Sequence, residues 1–470
     1  MENVRSKYEQ FIAHGEADYD VIVCGSGMAG LGAALAAGHN GAKTLLLEGQ
    51  GVLGGITHCC LWMPLGAWNY RPRELLKQGE DPSRGGVHAI FDRKIAQFGF
   101  DGYSPYVPPF RMRAIHPDYL RVAIFELLEE AGCHYRLYSP VTGVVKEGNR
   151  VTGVLVTGKE GPKTFRAKVV VDATGEGDVA CWAGAEFNKG RAGDGMLMPV
   201  TLTFVLGNVD LQRLLAFKPG QFEAARDWTK AKPEEIMKRY RANPASSTPE
   251  DKPFNAIIAE ARSQGYLTAM WYAFTGTTIP GVASVNNGGL YDVGSVDGTQ
   301  SSDLTLAERV GSQIAVDFVK IARKWQIPGL AQCHLLRVAN AVAVREGRCI
   351  IGDYVITKED ILEGRFPEDS VARALERGFD SVFFHSPAKG MIGIPYRALL
   401  PKGLEGLLVA GRCISATHEG LAGFRGMGSV MSIGQGAGVA AALAARKGVT
   451  PRQVSAKDIQ AVLTEMGVRL

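Results

Sequence analysis

Three glycines follow the first apolar run of the chain at the spacing Gly25-x-Gly27-x-x-Gly30, and the acid Glu48 follows the next run. In such a pattern the first glycine allows a tight turn, the second lets the backbone approach a pyrophosphate, and the third lets a helix pack closely on a strand. A helix that begins there directs unpaired N–H groups and a positive dipole end at the phosphate. A carboxylate after the second strand can accept hydrogen bonds from ribose hydroxyls. These residues predict a dinucleotide site.

The elements that must position these residues are predicted in the same segment. It reads as a strand over 19–24, the glycine turn, a helix, and a second strand over 44–47 that leads to the acid. The glycine spacing alone is a weak signal, but all these parts in register make it a strong one. A second glycine pair, Gly54-Gly55, follows soon after the acid, where a buried cofactor again needs close backbone approach. This pair favours FAD over NAD.

Composition limits the class of protein. The chain has 470 residues, 46% hydrophobic and 21% charged, which is typical of a soluble globular protein with two or three domains. Its formal net charge is only +4 and no run of lysines and arginines occurs, so no nucleic-acid partner is indicated. The eight cysteines form no CxxC pair, which argues against an iron–sulfur cluster, a zinc ribbon or another metal site. The N-terminal residues do not resemble a signal peptide, so we expect reduced thiols and a cytoplasmic location.

Predicted strands and helices alternate at both ends of the chain, whereas the middle has a different pattern. This arrangement predicts that the nucleotide-binding domain is discontinuous. The longest uncharged stretch, 426–445, has the length of a membrane span, but it is rich in Gly, Ala and Ser and is interpreted as a buried helix. The predicted fold class is α/β, with a discontinuous Rossmann-like FAD-binding domain and an inserted mixed α+β substrate domain. The predicted FAD-binding pieces are 18–58, 112–198 and 388–448, the substrate or cap pieces are 59–111 and 199–387, and 449–470 forms C-terminal helices.

A second strong motif lies near the end of the chain, at 406–444, where a buried strand delivers Gly411-Arg412 and a glycine-rich helix follows. Together with the first unit and the run VVDATGEGD at 170–178, it resembles the FAD-dependent oxidoreductases of the glutathione-reductase-like superfamily. Within that superfamily the chain is similar to the broad FAD-dependent oxidoreductase family that is distantly related to fumarate reductase flavoproteins. The resemblance covers most of the chain and is weakest at 206–299. The arginine-centred proton-delivery set of the fumarate reductases is not found, which argues against fumarate-type chemistry.

The resemblance implies contacts along the whole length of FAD. The first glycine turn would hold the pyrophosphate, Glu48 the ribose, and the backbone of Val141 the adenine. The segment around Gly411, and a helix start near Gly434, would line the ribityl chain and the flavin pyrimidine. A helix N-terminus there would stabilise anionic reduced flavin and raise its reduction potential. The residues implied to contact FAD are Gly25, Ser26, Gly27, Met28, Ala29, Gly30, Glu48, Gly54, Gly55, Val141, Thr174, Gly175, Gly411, Arg412, Gly426 and Gly434.

Two candidate catalytic residues, His418 and Arg425, lie in the loop that runs along the flavin in this superfamily. The histidine would take a proton while hydride passes to flavin N5, and the arginine would hold a carboxylate or developing negative charge. The alternative is structural: His418 and Glu419 cap the loop, and Arg425 pairs with Glu419.

Further candidates carry alternatives of their own. In Arg345-Glu346-x-Arg348, Arg345 would bind a substrate anion, or the residues form an internal ion-pair network. His58 would attach the flavin covalently, act as a proton donor or polar contact to flavin or substrate, or only pack in its loop. Cys59-Cys60 is interpreted as two packed thiols rather than a redox pair. The run 175–180 matches GxGxxA, but no strand ending in an acid follows it, so part of the FAD cradle is preferred to an NAD(P)H site. The tryptophans at 62, 68 and 271 are interpreted as core or pocket walls.

The predicted function is FAD-dependent oxidation or reduction of a small organic molecule, with hydride transfer through flavin N5. The substrate and the electron acceptor or donor are not encoded in any motif, and a homo-oligomer is left open. One alternative is a hydratase, isomerase or lyase that uses FAD as an acid/base group or scaffold. Another is a non-catalytic FAD-binding electron-transfer subunit or sensor, against which the absence of an iron–sulfur motif and of a basic docking patch argues.

Overall fold

The computed structural model describes residues 4–14, 18–59, 84–99, 115–217, 254–290, 293–374 and 391–470. Cys60, two of the three tryptophans, much of the predicted 59–111 excursion and the side chain of His58 lie outside the described residues. The described residues form two hydrophobic cores, one around a large mixed sheet and one around a smaller antiparallel sheet.

The large sheet has seven strands in the order β3-β2-β1-β6-β5-β4, and β15 pairs with β6. Parallel pairing joins β3, β2, β1, β6 and β15, whereas β6, β5 and β4 form an antiparallel meander. Residues 21–24 of β1 are fully buried, as expected for a strand covered on both faces. This mixed sheet with its helices confirms the predicted α/β class. The strands are β1 (Asp18–Cys24), β2 (Thr44–Leu47), β3 (His134–Arg136), β4 (Val141–Glu147), β5 (Arg150–Gly158), β6 (Gly161–Asp172) and β15 (Leu407–Val409).

Helices of different lengths pack around this sheet. The glycine turn leads directly from β1 into α2, and β15 leads through α11 into the long helix α12. The helices of this part are α1 (Val4–Glu9), α2 (Met28–His39), α3 (Ile56–Cys59), α4 (Gly86–Ala96), α5 (Pro117–Glu130), α6 (Asp178–Ala183), α11 (His418–Ala422), α12 (Met427–Lys447) and α13 (Ala456–Glu465).

Helices α2 and α12 approach each other at glycines. A Cβ atom on Gly434 would overlap the carbonyl oxygen of Ala29, and one on Gly438 would overlap that of Ala33. The prediction of a helix start near Gly434 is wrong, because α12 begins at Met427 with Gly426 as its N-cap. Gly434 lies two turns inside the helix, where the absence of a side chain permits the close contact with α2.

One helix among the described residues, α12, is long and apolar enough to span a membrane by length and composition. Its most apolar window is 89% buried inside the protein. The core position of this helix accounts for its uncharged sequence, since every face is covered by protein.

The smaller sheet belongs to the middle of the chain and has the order β11-β8-β10-β9, with antiparallel pairing throughout. One face packs against α8 and α9, where the ring of Phe318 contacts those of Phe204 and Tyr272. The opposite face of β9 is half-buried. The elements of this part are β8 (Phe204–Gly207), α7 (Leu211–Ala216), α8 (Phe254–Ser263), β9 (Ala269–Gly276), β10 (Ala283–Leu290), α9 (Ser301–Lys324) and β11 (His334–Val338).

Two short strand pairs lie outside the two sheets, and their buried residues belong to the core of the large sheet. One pair joins a strand that follows α6 to a strand from the middle of the chain, and the other lies beside α12. The elements are β7 (Phe187–Lys189), β12 (Arg348–Ile350), α10 (Lys358–Glu363), β13 (Ser370–Ala374) and β14 (Ile392–Pro395).

Helix α4 docks on the first half of α12 through buried polar contacts. His88 is buried, and its Nε2 lies 2.8 Å from the carbonyl oxygen of Gly428. The backbone N–H of Val87 donates to Oε1 of Gln435 at 2.5 Å. Arg84 donates to the Ser432 hydroxyl at 3.1 Å. Burial, and then the charge of Arg84, hold the pKa of His88 well below its ordinary value of 6.5.

His88 should make the protein less stable in mild acid. Below its ordinary pKa the unfolded chain takes up a proton that the folded chain does not, so the free energy of unfolding falls as the pH falls. We expect a contribution to the slope of about 1.4 kcal/mol per pH unit below about pH 6.5. Urea titrations between about pH 5 and 7.5 should show a shallower slope for His88→Gln than for the original protein. Equal slopes would contradict a buried neutral His88.

Candidate functional site

The glycine turn between β1 and α2 uses its three glycines in different ways. Gly25 has a φ of +97°, and a Cβ there would lie 2.6 Å from the carbonyl oxygen of Ala173. A Cβ on Gly30 would overlap the carbonyl oxygen of Gly25. A Cβ on Gly27, by contrast, would have nothing within 4 Å. The fold itself therefore requires Gly25 and Gly30, whereas Gly27 borders open space.

That open space lies at the N-terminus of α2. Gly27 is the N-cap and no side chain caps the helix, so its first N–H groups have no side-chain partner at the cap. Met28 and Ala29 form the first turn of the helix and are buried, as is Ser26. Such a helix N-terminus, with no Cβ in the way, fits a pyrophosphate.

Glu48 is held beside this turn. Its Oε2 accepts from the N–H of Ser26 at 3.0 Å and from the Ser26 hydroxyl at 2.5 Å, and its Oε1 accepts from the N–H of Gln50 at 2.9 Å. The carboxylate is half-buried and retains lone pairs for ribose hydroxyls. The backbone oxygen of Glu48 accepts from the N–H of Ser139 at 2.9 Å, which brings Val141, the first residue of β4, to the same end of the site.

The second glycine pair packs on the first glycine turn. The N–H of Gly54 donates to the carbonyl oxygen of Ser26 at 3.0 Å, and a Cβ on Gly55 would lie 2.9 Å from the Cα of Gly27. Gly54 and Gly55 therefore approach another part of the chain closely, as predicted. The part that they approach in this structure is the backbone of the first glycine turn.

The end of β6 forms another side of the cradle. A Cβ on Gly25 would lie 3.1 Å from the Cα of Thr174. The buried Asp172 accepts from the N–H of Thr174 at 3.1 Å, from its hydroxyl at 2.7 Å, and from the N–H of Ala180 at 2.8 Å. Burial raises the pKa of Asp172, and these hydrogen bonds oppose the rise. Asp172 therefore fixes the loop that carries Thr174 and Gly175.

The segment after β15 reaches the same place. Gly411 has a φ of +94°, and a Cβ on it would lie 2.8 Å from the Cβ of Ala29. The Arg412 guanidinium forms an ion pair with Glu176 across Gly175. Arg348 donates to Asp178 at 2.8 Å and to the carbonyl oxygen of Glu176 at 3.1 Å. The run 175–180 thus serves as a docking loop for two arginines, which supports its interpretation as part of the cradle.

The N-terminus of α12 lies beside α3. Gly426 is the N-cap and no side chain caps this helix either. The hydroxyl of Thr57 lies 3.3 Å from the sulfur of Met427, so α3, which carries His58, contacts the first turn of α12. Cys59 is buried and its thiol lies 3.4 Å from Oε1 of Gln50, and burial raises its pKa to about 11. This neutral buried thiol matches the interpretation of Cys59 as a packed residue.

His418 forms a buried pair with Glu346, a partner that the sequence around His418 does not reveal. Its Nδ1 lies 2.8 Å from each carboxylate oxygen of Glu346, and both side chains are almost fully buried. Oε2 of Glu346 also accepts from the N–H of Met198 at 2.8 Å. The proposed loop cap by His418 is wrong, because Thr417 caps α11 by accepting from the N–H of Gly420 at 3.1 Å.

The two remaining candidate arginines are Arg345, which precedes Glu346 in the chain, and Arg425, which follows His418 by seven residues. Arg345 donates to the carbonyl oxygen of Pro199, and its guanidinium carbon lies 5.6 Å from the centre of the Trp271 ring. Arg425 is half-buried between α11 and α12. Of the charged residues at 345–348, Glu346 and Arg348 form internal pairs, with His418 and Asp178 respectively. Arg345 instead packs on the smaller sheet.

Sequence reasoning missed the roles of Glu346, Glu176 and Asp172. Glu346 was noticed only as the centre of a charged triplet, and its partner lies 72 residues away along the chain. The available signal was a short charged run, Arg345 to Arg348, between the apolar pairs Ala343-Val344 and Cys349-Ile350. Acids in such places are seldom buried without a partner.

The residues present therefore fit FAD. Two uncapped helix N-termini, an open glycine position and a pre-oriented carboxylate are arranged around backbone that several glycines allow to come close.

The chain is similar to several known proteins. A digeranylgeranylglycerophospholipid reductase from Picrophilus torridus is 31% identical over 187 residues, which are 36% of this chain and 42% of that protein. The match thus spans less than half of that curated relative. A geranylgeranyl bacteriochlorophyll reductase-like protein from Thermoplasma acidophilum shares 15% identity over 96% of this chain and 84% of its own, with a TM-score of 0.44. The OxyS anhydrotetracycline hydroxylase from Streptomyces rimosus shares 16% over 90% and 62%, with a TM-score of 0.40.

The family described as FAD dependent oxidoreductase matches residues 20–463, nearly the whole chain. The cofactor is FAD, in agreement with the cradle described above. The chain belongs to the FAD dependent oxidoreductase family.

Proposed function

We propose that this protein oxidises or reduces a small organic molecule with FAD, and that His418 moves the proton that accompanies the hydride. The observation that carries the proposal is the buried pair of Glu346 and His418. His418 is the first residue of α11, which precedes the uncapped N-terminus of α12. A histidine held by a buried carboxylate in a defined geometry beside a cofactor cradle is typical of catalytic sites.

The residues of the cradle bind and orient the cofactor. The turn around Gly27 and the N-terminus of α2 hold the pyrophosphate, and Glu48 holds the ribose. Bound FAD supplies a hydride acceptor or donor at its N5 atom. Gly411 and the N-terminus of α12 bind the other end of the cofactor, where the helix dipole favours negative charge.

Glu346 determines which nitrogen of His418 handles the proton. When the carboxylate accepts a hydrogen bond from Nδ1–H, the neutral ring presents Nε2 as the basic atom. Nε2 then takes a proton from the substrate in oxidation, or returns one in reduction. Arg425, which precedes the N-cap of α12, stabilises negative charge that develops on the substrate.

The proposal is tested by anaerobic mixing of the FAD-loaded protein with alcohols, hydroxy acids, amines and sugars, while flavin absorbance is followed. We expect bleaching by at least one class, or bleaching by NADH or NADPH and reoxidation by an unsaturated acceptor. Protein that stays colourless after incubation with FAD would contradict cofactor binding. Substrate turnover without any net flavin reduction or electron acceptor would instead select a non-redox flavoenzyme.

Several further proposals accompany this function. The distant relationship to glutathione-reductase-like and fumarate reductase flavoproteins is supported by the motifs at 25–30 and 406–444. A cytoplasmic location is supported by the free, mostly buried cysteines among the described residues. The electron partner and a homo-oligomeric state are tested by co-purification and by sedimentation.

A further inference from the structure

An ion pair beside the cofactor cradle joins the loop after β6 to the segment after β15. The Arg412 guanidinium donates to Oε1 of Glu176. The two side chains are 16% and 13% exposed, so water and salt screen their charges only weakly. Burial lowers the pKa of Arg412, but the charge and the hydrogen bond of Glu176 raise it by more, so the guanidinium stays charged. The pair therefore fixes two full charges of opposite sign at one place in the fold.

Three glycines leave the space that this ion pair occupies. A Cβ on Gly347 would overlap Oε2 of Glu176, and a Cβ on Gly298 would lie 3.2 Å from Oε1. A Cβ on Gly175 would lie 2.9 Å from Nη2 of Arg412. The glycines belong to three separate segments of the chain, so the tertiary structure fixes the position of the carboxylate.

The ion pair lies on the path that FAD takes through the cradle. Gly411, which directly precedes Arg412, approaches Ala29 in the first turn of α2. The same segment continues to the N-terminus of α12. A cofactor that extends from the pyrophosphate site on α2 to the flavin site on α12 therefore passes Gly411. A charge beside this path acts on the cofactor through the protein interior, where an electrostatic interaction is stronger than in water.

The opposing effects of the two charges are already evident at a neighbouring acid, Asp178. Burial keeps the pKa of Asp178 above its ordinary value, although the hydrogen bond from Arg348 lowers it. In addition, the charge of Glu176 raises this pKa and the charge of Arg412 lowers it. A third group near the ion pair thus experiences two contributions of opposite sign, and we expect the same for bound flavin.

We propose that Glu176 sets the reduction potential of bound FAD by neutralising Arg412. When FAD takes up two electrons and one proton, the isoalloxazine gains one negative charge, and charges in the protein tune this step. Arg412 favours the added negative charge and Glu176 opposes it. Glu176 therefore acts on the cofactor through its charge and does not touch the reacting atoms. This role rests on the placement of FAD in the proposed function and is independent of proton transfer by His418.

The test is the two-electron reduction potential of the FAD-loaded protein, measured against a dye of known potential at about pH 8, where a carboxylate of ordinary pKa is ionised. Glu176→Gln should shift the equilibrium towards reduced flavin by about tenfold. Arg412→Gln should shift it by about tenfold in the opposite direction. A unit charge about 10 Å away contributes roughly this factor at an effective dielectric constant of about 20. A tenfold change corresponds to about 30 mV for two electrons.

The double variant separates an effect of charge from damage to the fold. Coulomb contributions of two charges to a third site add, so Glu176→Gln combined with Arg412→Gln should return the equilibrium to within about threefold of the original. A purely structural pair would instead move the potential in the same direction in both single variants. Glu176→Asp retains the charge and should keep the potential close to that of the original protein.

Glu130→Gln is the matched control, because it also removes a carboxylate from an ion pair with a largely buried cation. Glu130 accepts from Lys94 at 2.5 Å. Its neighbour Ala131 contacts Gly38 near the C-terminal end of α2, about 16 Å along the helix from the pyrophosphate site. This variant should leave the potential unchanged. Urea unfolding of each FAD-free variant shows whether it folds. If Arg412→Gln does not fold, an unchanged or lowered potential in Glu176→Gln still overturns the proposal.

Failure of this proposal can be told apart from failure of the proposed function, because reduction by a dye requires no substrate. Unchanged potentials in both single variants, or shifts of the same sign, overturn the role of Glu176 and leave the redox function intact. Opposite shifts, in a protein whose flavin no substrate or nicotinamide can reduce, support the role of Glu176 and overturn the redox function.

Discussion

Gly27→Ala should give a folded protein that binds FAD at least about tenfold more weakly than the original. The new methyl group meets nothing within 4 Å in the protein, and the backbone angles of Gly27, φ −60° and ψ 177°, are open to alanine. In the complex, however, this open space is where the pyrophosphate approaches, and an added methyl group in a filled site costs about 1–3 kcal/mol. That cost corresponds to a factor of about 10 to 100 in the dissociation constant.

The measurement is the dissociation constant for FAD from quenching of flavin fluorescence, combined with urea unfolding of the FAD-free protein. We expect the unfolding free energy to change by less than about 1 kcal/mol for Gly27→Ala. Gly30→Ala is the matched control, because its methyl group would overlap the carbonyl oxygen of Gly25. It should destabilise the FAD-free protein by about 3 kcal/mol. Unchanged FAD affinity in Gly27→Ala would show that the cofactor does not pass over this residue.

The second large effect concerns the buried pair of His418 and Glu346. His418→Asn and Glu346→Gln should each lower the rate of flavin reduction by the substrate about 100-fold or more, since positioned acid/base groups contribute about 10² to 10⁴. The double variant should be hardly slower than the worse single one, because the two residues act as one unit through the contacts at 2.8 Å.

A stopped-flow measurement of the reductive half-reaction checks this expectation, with the FAD content of each variant measured in parallel. Glu346→Gln keeps the shape and an oxygen that can accept from Nδ1, so lost rate with full FAD content points to the carboxylate charge. Arg397→Gln serves as a control, since Arg397 pairs with Asp369 at the exposed surface and should have little influence. Rates that multiply in the double variant would contradict a single His418–Glu346 unit.

The cofactor site was largely predictable from the sequence because its parts are local. The turn, α2, β2 and Glu48 follow one another within 18–48, and the structure places them in hydrogen-bond contact through Ser26. The same pattern did not separate the three glycines. A glycine is needed for the fold when a Cβ at its position would overlap other protein atoms, as at Gly25 against Ala173. It is available to a ligand when that position borders open space, as at Gly27.

The end of the chain shows a limit of local patterns. A helix among several glycines was predicted, but its start was misplaced because any of these glycines could have been an N-cap. Contact with α2 decides the question: Gly434 and Gly438 face backbone of that helix, which leaves Gly426 as the cap. The spacing of small residues predicts that the helix is buried, but it does not indicate which other helix it contacts.

By itself, the sequence determined the α/β class and the strand–turn–helix that receives the dinucleotide, because these depend on contiguous residues and on backbone geometry that only glycine permits. The resemblance to FAD-dependent oxidoreductases then indicated FAD as the cofactor. Only the tertiary structure decided which charged residues belong together. His418 pairs with Glu346, Arg412 pairs with Glu176, and Arg345 packs on Trp271 of the smaller sheet. These pairs join residues far apart in the chain, and burial selects them, since an acid or base removed from water requires a partner that no local spacing can specify.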